Sequence, residues 1–182
     1  SVILITKHKD FSWTIQDFGR GIPLDWNDNE QRYNWELVYC ELYAGGKYKT
    51  NSGGSYEYSL GLNGLGLCAT QYASEYMNVS VIRDGFKQSL HFEKGYNADG
   101  ISRSSCTDSS GTCIRFKLDP EVFSEIVLPK QQIANVLQEL ALQIPGIKTV
   151  FRCDGPQGPE EVAFHYPKGI ADFLQEQNRS KQ

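Results

Sequence analysis

Asp84-Gly85, set between the runs Met77–Arg83 and Phe86–Glu93, restricts the possible folds more than any other feature of the sequence. An Asp-Gly pair suits the two left-handed residues of a tight turn whose twist matches its flanking strands, so an antiparallel hairpin is predicted here. A second hairpin is predicted near the start. Val2–Thr6 is an apolar, β-branched run and Lys7–Asp10 a polar break; Phe11, Trp13 and Ile15 then alternate with Ser12, Thr14 and Gln16, the period of a half-buried strand. Further strands are expected at Thr112–Leu118, Ile147–Arg152 and Glu161–Tyr166, the last two meeting around the turn Gly155–Pro159. Helical spacing marks Asn29–Tyr43, Gly61–Tyr76, Gln131–Leu142 and Ile170–Gln177, with Pro145-Gly146 stopping the third. Asp119 is placed to cap a short turn at Glu121–Phe123, with Pro120 at its first position. Helices that interleave with hairpins, without regular strand–helix–strand alternation, predict an α+β sandwich: a mixed sheet with helices packed on one face.

The 182 residues, 40% apolar and 12% aromatic, suit one domain over 1–182 with a sizeable core. Lys and Arg total 18 against 22 acidic residues, a net charge of −4, which argues against tight grip on a nucleic acid backbone by this chain alone. No apolar run reaches the roughly 18 residues of a membrane span, and the first residues do not form a signal peptide. Five cysteines without a CxxC pair fit reduced thiols and a cytoplasmic location. The chain opens at Ser1 directly into a strand and its sole methionine is Met77, so it reads as a fragment.

Three glycine-rich stretches could carry chemistry: Asp17–Pro23 directly after a strand, Ala44–Lys47 at the head of a polar loop reaching Ser59, and Gly61–Gly66 before a helix. Glycines ahead of a helix let backbone N–H groups approach an anion that the helix dipole favours; the same glycines would equally permit close helix–sheet packing. The pattern is neither a P-loop, since Lys47 is followed by Tyr48, nor a Rossmann fingerprint, since the order is G-x-x-G-x-G after a loop. Asp17 can accept from an exocyclic amine beside a glycine turn, or it can close an Asx turn. His8, His91 and His165 read as strand surface residues and Trp13 as core. Trp26 and Trp35 could pack over a pocket or on each other.

Taken in order, Asp17-Phe-Gly-Arg-Gly-Ile-Pro23, Ala44-Gly-Gly-Lys47, Ser59-Leu-Gly-Leu-Asn-Gly-Leu-Gly66 and Gly111-Thr-Cys-Ile-Arg-Phe116 resemble the ATPase domain of bacterial type IIA DNA topoisomerases. This is the gyrase B and topoisomerase IV B (ParE) branch of the GHKL superfamily. Leu118–Phe123 and Phe164–Ile170 match that branch rather than its kinase or chaperone cousins. The resemblance covers essentially the whole chain and implies the Bergerat ATP-binding fold, a mostly antiparallel sheet with helices on one face. It implies that Asp17 binds the adenine amino group directly and through a water, with Gly21 beside it and Thr112 supporting that water. Ile22, Pro23 and Val38 would line the adenine and inhibitor pocket, with Arg20 and Arg83 at its rim. Lys47 and Tyr56 would lie in the loop that closes over the nucleotide. Asn63, Gly64, Leu65, Gly66 and Leu67 would offer backbone N–H groups to the phosphates.

The chain departs from the family at Leu60, where a glycine is usual, at Asn63, where a histidine is, and at Glu57, where lysine is common. The family's general-base glutamate and Mg²⁺-binding asparagine come from a helix that would precede Val2, and no residue of this chain matches them. The glutamate's usual partner is the residue at Arg20. The resemblance therefore implies no catalytic residue in this chain, ATP with Mg²⁺ as cofactors, and a Mg²⁺ ligand outside it. DNA would be met by other domains. A gyrase A- or ParC-type subunit would be the partner, with ATP-dependent homodimerisation in the full-length protein and a monomeric fragment. The alternatives are a GHKL kinase or chaperone module, or a degenerate, non-catalytic interaction domain.

Overall fold

A computed structural model describes residues 1–44, 64–155 and 158–179. The described strands are β1 (Val2–Lys7), β2 (Trp13–Asp17), β3 (Trp26–Asn27), β4 (Arg32–Tyr33), β5 (Ser74–Arg83), β6 (Phe86–Glu93), β7 (Ser102–Ser105), β8 (Gly111–Leu118), β9 (Lys148–Gly155) and β10 (Gly158–His165). The helices are α1 (Asn34–Cys40), α2 (Gly66–Tyr72), α3 (Lys130–Gln143) and α4 (Ile170–Arg179). Eight strands form one sheet in the order β10-β9-β1-β2-β8-β5-β6-β7, and β3 pairs with β4 separately. Among the described pairs only β1 and β9 run parallel. The predicted α+β class, with its mixed and mostly antiparallel sheet, is the observed one.

Strand register decides which side chains share a face. Ile5, Ile15, Ile114 and Val79 stand opposite one another across β1, β2, β8 and β5, and Phe151 of β9 continues the row. The helices cover this face in two places. Over β5 and β6, Leu24, Val38 and Tyr39 pack with Met77, Val79, Val81, Leu90, Phe92 and Ile114. Over β9, Leu137 of α3 packs with Trp13, Phe151 and Cys153, and Trp13 stacks on Phe151 at 6.3 Å. Complete burial of a side chain such as Leu137 contributes about 1.5–3 kcal/mol. Between the two clusters, Ile15 remains 38% exposed and all of β1 is only half-buried. The opposite face carries Thr14, Gln16, Cys113, Arg115, Asn78, Ser80, Ser89 and His91, a solvated polar surface. No helix among the described residues is long and apolar enough to cross a membrane.

Several expected boundaries move. The helix predicted at Asn29–Tyr43 is confined to α1, because Asn27 Oδ1 accepts from the backbone N–H groups of Asn29 and Glu30 (3.0 and 3.2 Å), and Gln31 turns left-handed at φ 52°. That local capture closes the small β3–β4 hairpin instead. Tyr33 N then donates to Glu36 Oε2 at 2.9 Å as α1 begins. The helix predicted at Gly61–Tyr76 is α2 alone over its described part. Gly64, at φ 61°, lies outside helical space, and Ser74–Tyr76 is drawn into β5 by pairing with β8. The polar connection Gly95–Ser110 contains the unexpected edge strand β7. Trp26 and Trp35 do not pack on each other: Trp26 meets Tyr33 edge-on at 5.2 Å and Trp35 meets Phe92 at 6.1 Å.

Candidate functional site

The sheet brings together residues that are far apart in sequence. Asp17 ends β2 and lies directly opposite Thr112 of β8, which in turn lies opposite Val81 of β5. Opposed residues of an antiparallel pair project to the same side with Cβ atoms about 4.5–5.5 Å apart, so one water can bridge the Asp17 carboxylate and the Thr112 hydroxyl. Thr112 is buried and Asp17 half-buried. Asp17 Oδ1 accepts from Gly19 N at 2.8 Å, which is the Asx turn foreseen as one of its two roles. That bond engages only one of the two carboxylate oxygens.

The turn after Asp17 is shaped by close backbone approach. Gly21 is buried at φ 81°, and a Cβ there would stand 2.8 Å from Ile82 O and 2.9 Å from Val81 Cγ1. A Cβ on Gly111 would lie 2.3 Å from Asp17 O. Ile22 N donates to Thr112 Oγ1 at 3.1 Å, Arg83 Nη1 donates to Gly21 O at 2.8 Å, and Ser110 Oγ donates to Gly19 O at 2.8 Å. Sequence reasoning placed Arg83 only at the rim and missed Ser110 and Gly111 as supports of the turn. A glycine directly before the strand threonine was the available signal for the last.

Apolar surface meets these polar groups on one side. Pro23 and Val38 are buried, and Ile22 and Leu67 pack against the same cluster as Val38 and Val81. Arg20 lies on the exposed part of the turn. Beyond Leu67, Gly64 takes the left-handed conformation and Leu65 is the residue ahead of α2, whose first N–H groups have no intrahelical acceptor. Among the described residues, a Cβ on Gly66 would meet nothing within 4 Å. Lys47, Tyr56 and Asn63, with Glu57 and Leu60, lie outside the described residues. The structure thus brings Asp17, Gly21, Ile22, Arg83 and Thr112 together at one end of the sheet, with buried Pro23 next in the chain and Val38 in the apolar cluster against which Ile22 packs.

Burial pushes the Cys40 thiol at the end of α1 up to about 11, with Cys68 and Glu36 adding to the shift, so it is a protonated core group rather than a nucleophile. Among the described residues, no group of three or more His, Cys, Asp or Glu is placed to hold a metal ion. His8 bonds Thr14 and His91 lies between Asn78 and Glu93.

No protein-family model matches the chain. It is 37% identical over 179 residues to DNA gyrase B of Thermotoga maritima, a match spanning 98% of this chain and 27% of that protein. It is 33% identical over 172 residues to the B-type subunit of DNA topoisomerase 4 from Caulobacter vibrioides, spanning 91% of this chain and 24% of that protein. Its fold superposes on the crystal structure of the 43K ATPase domain of Thermus thermophilus gyrase B in complex with an aminocoumarin. That likeness has a TM-score of 0.77 at 27% identity and covers 97% of this chain and 43% of that one. The chain spans about a quarter of the length of these curated relatives.

Proposed function

Over nearly its whole length the chain belongs to the family of DNA gyrase B and its topoisomerase 4 counterpart and has the fold of the gyrase B ATPase domain, and we propose that it recognises ATP through its adenine base. The observation that carries this reading is the Asp17–Thr112 pair beside the Gly21–Ile22 turn. A carboxylate acceptor next to a hydroxyl, with Ile22, Pro23 and Val38 alongside, presents an adenine edge with a partner for its amino group and an apolar wall for its ring. Gly64 and Leu65 lead into α2, Gly66 and Leu67 begin it, and this strip, with Asn63, would serve the phosphates. Lys47 and Tyr56 would close from the adjoining loop, and Arg20 would border the pocket.

The chain is one domain of a longer protein in this proposal. Its ATP use would be coupled to DNA strand passage by other domains and by a gyrase A- or ParC-type subunit, in the cytoplasm, with dimerisation driven by ATP. The general base and the Mg²⁺ ligand would come from a helix ahead of Val2. Mg²⁺ would supply charge neutralisation at the phosphates, while the residues described above hold the base, orient it and exclude water. The exposure of Ile15 at mid-sheet supports a missing cover of this kind, because central strands of a sandwich ordinarily bury their apolar face.

The test is ATP binding and turnover by this chain and by one extended upstream. The extended chain is expected to bind and hydrolyse ATP. The short chain should bind weakly if at all and hydrolyse none, since loss of a positioned base alone removes roughly 10²–10⁴ in rate. Asp17→Asn in the extended chain should weaken ATP far more than Lys7→Ala. Equal turnover in both chains would reject the assignment of catalysis to the missing segment, and unchanged affinity in Asp17→Asn would reject the adenine site.

A further inference from the structure

We infer that Arg83 is a positioning residue for the nucleobase, locking the Gly21–Ile22 peptide in the orientation that leaves the Thr112 hydroxyl free to donate to a bound ligand. The inference rests on the adenine-pocket reading. Its basis is that two long-range contacts described above belong to one peptide unit. Gly21 O accepts from Arg83 Nη1 at 2.8 Å, and Ile22 N, the other end of the same planar amide, donates to Thr112 Oγ1 at 3.1 Å. Because the amide is rigid, fixing its carbonyl also fixes the direction of its N–H.

That peptide needs fixing. Gly21 sits at φ 81°, and glycine rotates between left- and right-handed space at little steric cost, so the backbone alone does not select one orientation. The opposing walls, Ile82 O and Val81, limit where the chain lies but supply no partner for the Gly21 carbonyl. Arg83 supplies that partner from a defined position. Its Nε donates to Asp84 Oδ2 at 3.1 Å, and its side chain is 19% exposed against 81% for Asp84. Asp84 is itself set by the tight turn, at φ 52° with Gly85 at 79°. The β5–β6 turn therefore aims the guanidinium, and the guanidinium holds the peptide.

The consequence falls on Thr112. A hydroxyl has one proton and two lone pairs, and here one lone pair takes the Ile22 N–H. Its proton is then available toward the Asp17 side of the pocket, where a ring nitrogen or a bridging water would receive it. If the peptide turned over, the Gly21 carbonyl could compete for that proton and the site would present a different donor–acceptor pattern to the base. Arg83 thus sets base recognition without touching the base.

The experiment uses the ¹⁵N-labelled chain as wild type, Arg83→Met, Arg83→Lys and Asp84→Asn. It reads the exchange rate of the Ile22 amide proton and the affinities for ATP, ADP and adenosine. Arg83→Met keeps an aliphatic stem but removes the donors. It should speed Ile22 exchange and weaken all three ligands by a common factor, roughly tenfold for a lost charge-assisted bond. Arg83→Lys should recover part of both losses, and Asp84→Asn should show the same pattern at smaller size, which keeps the test alive if Arg83→Met fails to fold. Losses graded from ATP through ADP to adenosine, with Ile22 exchange unchanged, would mean that Arg83 acts as a charge on the phosphates and would overturn the inference. If the wild-type chain extended upstream of Val2 binds none of the three, the adenine reading falls, while the Ile22 amide still reports on the peptide lock.

Discussion

Replacing Gly21 by alanine imposes two separable costs at the turn beside Asp17. The first is conformational: at φ 81° an L-residue is strained by about 1–2 kcal/mol. The second is steric, because the new Cβ would stand 2.8 Å from Ile82 O, 2.9 Å from Val81 Cγ1 and 3.2 Å from Arg83 Cβ. Ile82 O is backbone in a paired strand and cannot rotate away, so an overpacking cost of about 1–3 kcal/mol is expected on top of the first. The total is about 2–5 kcal/mol, which for a chain of this size lowers Tm by roughly 4–20 °C. Gly85 provides the control. It has nearly the same φ, 79°, yet a Cβ there meets nothing within 4 Å, so Gly85→Ala should show the conformational cost alone. Urea and thermal unfolding of the two variants measure the difference. A gap of about 1–3 kcal/mol is expected; equal losses would refute the claim that contact with β5 holds this turn.

Two further outcomes are expected. The Cys40 thiol is raised in the folded state from 9.0 to about 11, chiefly by burial, so its contribution to stability is complete below pH 9 and is lost as pH rises toward 11; urea unfolding across that range should show wild type losing more stability than Cys40→Ala. Thr149 is fully buried and its hydroxyl donates to Leu137 O at 3.0 Å, tying α3 to β9, so Thr149→Val should lower unfolding free energy by about 1 kcal/mol in denaturant titration.

What was legible in the sequence was governed by short-range rules. Asp84-Gly85 gave its hairpin with β6 ending where expected, and Asp119 caps its turn through the Glu121 amide at 2.9 Å. Ser102–Ser105 carried no signal, because an edge strand exposed at every residue needs no apolar alternation. The Asn29–Tyr43 helix was overestimated because periodicity cannot register one asparagine side chain capturing the backbone ahead of α1. The parallel pairing of β1 with β9 is invisible to any local pattern. At the candidate site, Asp17 and the Gly19–Gly21 turn could be picked out by residue type. Their convergence with Thr112 depends on strand register, and the bond from Arg83 to the Gly21 carbonyl on side-chain direction, neither of which spacing encodes.

The register of β1 also fixes where the protein can be pulled. Ile3, Asp17, Thr112 and Val81 lie on one line across the sheet, and Val2, Lys148 and His165 on the line beside it. The first strand therefore enters, and the last strand leaves, at the same end as Asp17 and Thr112. With strands about 4.8 Å apart, His165 lies roughly 15 Å from Asp17 and Ile3 only one strand away. Polypeptide attached before Val2 or after His165 has its mechanical anchor at that end of the sheet, and tension on either tether acts on the line through Val2, Lys148 and His165, one residue from the line that carries Asp17.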